Sequence, residues 1–88
     1  MDSRIAVLSI IIENQDSVEA LNSFLHESSR YIIGRMGIPC RDKGIFIISV
    51  AIDAPQNVIS TLAGKIGRLD GVSIKTAYSN VITPSEGE

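Results

Sequence analysis

Residues 4–13 (RIAVLSIIIE) and 44–52 (GIFIISVAI) are apolar on both strand parities, and this constrains the fold more than any other feature of the chain. A strand with one wet face alternates polar and apolar side chains, so a strand apolar on both sides is an interior strand that must be covered twice. Neither run approaches the roughly 20 residues of a membrane-spanning helix. Both belong in the middle of a sheet, with something packed on each face.

The remaining segments arrange themselves around these two strands. Asp16 reads as an N-cap, and Glu19 three positions later has the spacing of a capping box. Val18, Leu21, Phe24 and Leu25 then form the apolar stripe of a helix ending near Ser28 and Ser29. A second extended segment covers residues 31–38, interrupted by Gly34 and Gly37 and closed by Pro39. Residues 40–44 (CRDKG) read as a hairpin connection, with Asp42 starting the turn and Gly44 available for positive φ. Asp53 is the next cap candidate, and Pro55 fits just inside a helix start, where its missing N–H costs nothing.

Val58, Ile59, Leu62, Ala63, Ile66 and Leu69 recur every three or four residues, the strongest helix signal in the chain. Gly64 and Gly67 weaken that helix by about 1 kcal/mol each relative to Ala, and allow close approach to the sheet or to another subunit. LDGV, residues 69–72, turns the chain into a fourth strand over 72–78. The remainder from residue 79 (SNVITPSEGE) is expected to hold a short extra strand at Val81 and Ile82, followed by a loose acidic tail.

The order is βαββαβ, which predicts an α+β, ferredoxin-like sandwich: a four-stranded antiparallel sheet with two helices on one face. Its first and third strands are central, where the two doubly apolar runs belong. Eighty-eight residues make one domain, 1–88, marginal as an isolated monomer. If the helices cover one face, apolar residues on the other need a different cover, and a homo-oligomer paired through the sheet face or the edge strands supplies it.

Chemistry-bearing residues are sparse. Cys40 is the only cysteine, so no intrachain disulfide can form; it stands beside Arg41 and near Arg35 and Lys43, but no His is close in sequence and no second thiol is present to resolve it. His26 is the only histidine, too few for a zinc site, which draws on three or four protein ligands. GRMG (34–37) lies in or beside a strand and AGKIG (63–67) interrupts a helix pattern, so neither has the context of a phosphate loop. Ser9, Ser49 and Ser73 fall within strands, with no His and Asp arranged to activate them. Asp16 and Asp53 are accounted for as caps. No enzyme, metal site or cofactor is indicated.

With a formal net charge of −2 and basic residues spread along the chain, nothing marks a nucleic-acid surface. The start has Asp2 before Arg4, a short apolar run and no small-residue cleavage pattern, so a cytoplasmic protein is expected, with neither signal peptide nor membrane segment. One ligand-binding option stays open: Gly34 and Gly37 near strand ends give access to backbone N–H groups, and Arg35 and Arg41 can neutralise an anion. The same glycines equally accommodate bulges or subunit contact, with the arginines in water.

RMGIPCRDKGIFIISVAID followed by NVISTLAGKIGRLDGVSIKTAYS resembles the family of iron-only hydrogenase system regulators. The likeness runs from Arg4 to about Ser79. Its most distinctive positions are Arg35, Gly37, Pro39 and Arg41 in the hairpin region, then Leu62, Gly64, Lys65, Gly67, Gly71 and Val72 around the second helix. That family is similar to ACT domains and to the regulatory domain of the nickel-responsive repressor. The resemblance implies an ACT-like fold, assembly through sheets as dimer or tetramer, and a regulatory role with a small anionic or amino-acid-like effector at a subunit interface. Nickel sensing does not carry over, because His26 and Cys40 are the only ligands of those types. The alternative is a structural or protein-interaction module with no effector.

Overall fold

The computed structural model describes residues 2–84. Strand β1 is Ser3–Ile12, helix α1 Val18–Glu27, strand β2 Ile32–Cys40, strand β3 Ile45–Ala54, helix α2 Gln56–Gly67 and strand β4 Val72–Thr83. The strands pair antiparallel in the order β2-β3-β1-β4, the ferredoxin-like arrangement. As expected, the two doubly apolar strands are the central pair.

Alternation divides each central strand between two environments. Ala6, Leu8, Ile10 and Ile12 on β1, with Ile48, Val50, Ile52 and Ala54 on β3, face the helices and are buried. Leu21 and Leu25 of α1 and Ile59, Leu62 and Ile66 of α2 close this core from above. The residues between them, including Ile5, Val7, Ile11 and Ile47, point to the opposite face. No helix of the described residues covers that face.

Several boundaries differ from expectation for local physical reasons. Asp16 does not cap α1. The Asn14 Oδ1 instead accepts from the Asp16 N–H at 3.0 Å, capping a 3-10 turn, Gln15–Ser17, that precedes the helix. Ser17 then occupies the N-cap position of α1 without a side-chain cap bond, because its hydroxyl donates to the Asp70 carbonyl at 2.6 Å. Asp53 is the penultimate residue of β3, opposite Ile5, and Pro55 takes the N-cap position of α2. Its carbonyl accepts from Val58 N–H at 3.0 Å and Ile59 N–H at 3.2 Å.

Pro39 does not end β2, which continues to Cys40. An edge strand pairs on one side only, so a proline there leaves no ladder bond broken on its free side. The Val81–Ile82 segment is no separate strand either: β4 runs through it, with an irregularity opposite the interval from Arg4 to Ala6. The expected acidic tail lies at residues 85–88, outside the described residues.

Among the described residues, two glycines take a positive φ. Gly44 has φ 65° after the 3-10 turn Arg41–Lys43, closing the β2–β3 hairpin as CRDKG predicts. Gly71 has φ 69° between α2 and β4. No helix of the described residues is long and apolar enough to cross a membrane.

Candidate functional site

The face of the sheet opposite the helices is built in rungs. Ile38, Ile47, Ile11 and Ser73 align across β2, β3, β1 and β4. The next rung is Met36, Ser49, Ser9 and Lys75, and the third is Gly34, Ala51, Val7 and Ala77. The first is bulky and apolar over three strands, the third small and flat. Met36 is 58% exposed and Ile5, beyond the third rung, 47%, so the described residues supply no cover. Among the paired positions on this face only Lys75 and Asp53 carry charge, one of each sign.

Arg35 lies on the other side, and a β-bulge explains how. Ile32 pairs with Ile52 and Gly34 with Ala51, so Ile33 is an extra residue opposite the β3 ladder. Ile32 and Arg35 are three residues apart, a spacing that regular alternation would split between faces. The bulge puts both on the helix side, with Arg35 opposite Val50. There the Arg35 Nη2 donates to the Asn22 Oδ1 of α1 at 3.0 Å. Asn22, Leu25, His26, Ser29, Ile32 and Arg35 line a cleft of about 450 Å³ between α1 and the edge strand.

Arg41 belongs to a different cleft. It lies in the hairpin turn, and with Gln15, Val18, Pro39, Cys40 and Phe46 it borders a hollow of about 690 Å³ between the hairpin and the approach to α1. Cys40 is half-buried there. Gly34 sits on the uncovered face with open space above its Cα, and Gly37 lies against the Phe46 ring, where an added Cβ would be 3.2 Å from Cε1. The four residues singled out in the sequence therefore occupy separate places. Neither arginine's cleft includes the other arginine or either glycine.

From the sequence, His26 has no role beyond excluding a zinc site, and neither Asn22 nor Ser29 stands out as part of a cleft. The available signal was the interval of four between Asn22 and His26, which puts them on one side of α1. Nothing local tied that side to Arg35. A third hollow, of about 410 Å³, lies between the helices and is roofed by Lys65, 3.8 Å from the Glu27 carboxylate and 5.7 Å from the Phe24 ring centre. Among the described residues, no three His, Cys, Asp or Glu side chains converge as a metal site would require.

Comparison with known proteins accounts for most of the chain. Residues 4–76 match the TM1266-like family, described as "Iron-only hydrogenase system regulator, putative". The solved structure of the uncharacterized protein TM1266 from Thermotoga maritima is 30% identical, with a TM-score of 0.83 over 86% of this chain and 96% of that one. A formyltetrahydrofolate deformylase from Pseudomonas putida KT2440 is 17% identical, with a TM-score of 0.64 over 88% of this chain but 29% of its own. An unknown protein from Galdieria sulphuraria is 16% identical, with a TM-score of 0.61 over 93% of this chain and 48% of its own. At such identities these last two speak for the fold alone. No curated protein matches the chain.

Proposed function

The chain belongs to the TM1266-like family of iron-only hydrogenase system regulators, and from that premise we propose that it is a regulatory domain, not an enzyme, that works by assembling with its own copies. The observation that carries the proposal is the apolar sheet face opposite the helices. Left in water, its isoleucines, Val7 and Met36 would form a contiguous apolar patch of the kind that on soluble proteins marks an interaction surface.

A second copy is the cover that fits. Four strands about 4.8 Å apart and about 33 Å long give a footprint of about 500 Å² per chain, hence about 1,000 Å² for a pair, at the lower limit of a specific interface. Lys75 and Asp53 make the face electrically neutral, so it does not repel its own image. A two-fold axis through the sheet satisfies every copy with the same contacts. Pairing along the free edge of β2 would extend the dimer to a tetramer.

In this reading the domain works in the cytoplasm, and a small anionic or amino-acid-like effector shifts assembly or partner affinity by binding two states unequally. Arg35 and Arg41 supply positive charge, and Gly34 and Gly37 keep the β2 backbone accessible. That these four face different sides of the sheet and different clefts favours, as a second reading, an interaction module with no effector. Sedimentation velocity on the untagged protein at micromolar concentration tests assembly: a dimer or larger species is expected, and a monomer overturns the proposal. Native mass spectrometry of gently purified protein separates the two readings, since only the first expects a bound small molecule.

A further inference from the structure

We infer that the cleft between α1 and β2 is a binding site for one small molecule carrying an oxyanion, a carboxylate or a phosphate, with Arg35 as its anchor. The inference rests on the effector half of the function proposed above for its biological meaning, but the site is contained in a single chain.

The guanidinium is held ready. Its Nη2 donates to the Asn22 Oδ1 at 3.0 Å, which fixes the plane of the fork while most of its five N–H donors stay available. Among the described residues, the one ion pair within 4 Å is Lys65–Glu27, so none of the described carboxylates pairs with Arg35. His26 and Ser29 border the same cleft and add a ring nitrogen and a hydroxyl. None of the bordering residues is acidic. An anion entering here meets a guanidinium, an imidazole and a hydroxyl among the bordering side chains, and no carboxylate among them.

The floor sets the rest of the ligand. Leu25 is buried and Ile32 half-buried, giving a small apolar base beside the charged rim. A polar rim over an apolar base, in about 450 Å³, suits a compact molecule with a short carbon skeleton and one charged end. The bulge at Ile33 is what joins these parts, since it brings Ile32 and Arg35 to one face despite their odd spacing. The Arg41 hollow is larger but offers one charge among Val18, Pro39, Ile45 and Phe46, with Gln15 as its remaining polar side chain apart from the cysteine. It lacks a second group aimed at an anion.

The test is a titration of the intact protein followed by amide and arginine side-chain NMR. One series uses inorganic phosphate and a sugar phosphate, the other acetate and L-glutamate, all at fixed ionic strength with chloride as control. Saturable shifts centred on Asn22, His26, Ser29 and Arg35 are expected from one series more than the other, which identifies the oxyanion. Arg35→Gln should weaken that binding by about tenfold or more, while Lys43→Gln, in the hairpin turn outside the cleft, leaves it unchanged. The spectra themselves report whether each variant is folded.

Shifts that never saturate in either series, or that survive Arg35→Gln undiminished, overturn the inference. Sedimentation of the same samples keeps the two proposals apart. Binding by a monomer defeats assembly and leaves the cleft standing. Assembly without saturable binding defeats the cleft alone.

Discussion

At the scale of single residues, the tightest constraint is at Gly71. The chain leaving α2 lies on the chain leaving β1: the Glu13 N–H donates to the Gly71 carbonyl at 2.7 Å, and the Asn14 Nδ2 donates to the Asp70 Oδ2 at 2.7 Å. A Cβ on Gly71 would stand 2.6 Å from the Asn14 Cβ and 2.9 Å from its backbone nitrogen. Gly44 has the same left-handed backbone but nothing within 4 Å. Gly44→Ala therefore bears the conformational cost alone, about 1–2 kcal/mol, whereas Gly71→Ala adds overlap with backbone and should lose about 3 kcal/mol or more. Urea unfolding of the two variants checks the difference, and equal losses would remove the role given to Asn14. The sequence makes both glycines legible as turn residues. It does not reveal which is crowded, because Asn14 is distant in the chain and reaches Gly71 only once the sheet has formed.

Among the elements, the start of α1 shows how a correct periodicity can carry a wrong cap. Val18, Leu21 and Leu25 do face the core or its rim, and Asp16 with Glu19 has the spacing of a capping box. Yet Ser17 is spent on the Asp70 carbonyl and Asn14 caps the turn before the helix. Removing the Ser17 hydroxyl leaves a part-buried carbonyl without its partner, so Ser17→Ala should cost about 1–3 kcal/mol. Asp16→Ala forfeits only a favourable charge at a helix start, about 0.3–1 kcal/mol. Thermal denaturation of both orders them, and a larger loss at Asp16 would restore it as the cap. The same limit explains Pro39 and Arg35. Proline reads as a strand terminus until the strand is known to be an edge, and alternation misplaces Arg35 until the bulge at Ile33 is known. Helices and strands were legible because each follows its own period; the cleft joins two elements at a break in one period, and so was not.

For the whole molecule, apolar residues on both parities of β1 and β3 announce that two faces need cover, while the chain carries helices for one. The second cover has no sequence signature of its own, since a face meant for a copy looks the same as a face meant for any other partner. Its location, however, makes the proposal easy to separate from folding. Ile47 lies in the bulkiest rung, 37% exposed and turned away from the helices. Lysine there keeps its charge in water in a single chain and so leaves the core packing untouched. Between two stacked sheets the same ammonium would be desolvated and doubled by symmetry, at a cost of several kcal/mol. Ile47→Lys is accordingly expected to sediment as a monomer. Its Tm should be independent of protein concentration, whereas that of the unaltered protein rises with concentration, because association withdraws folded chains from the unfolding equilibrium. Lys75→Ala, at the margin of the face, should keep both the assembly and the concentration dependence. If Ile47→Lys assembled as the unaltered protein does, the contact between copies would have to run along the edge of β2 instead, and the uncovered face would need a different partner.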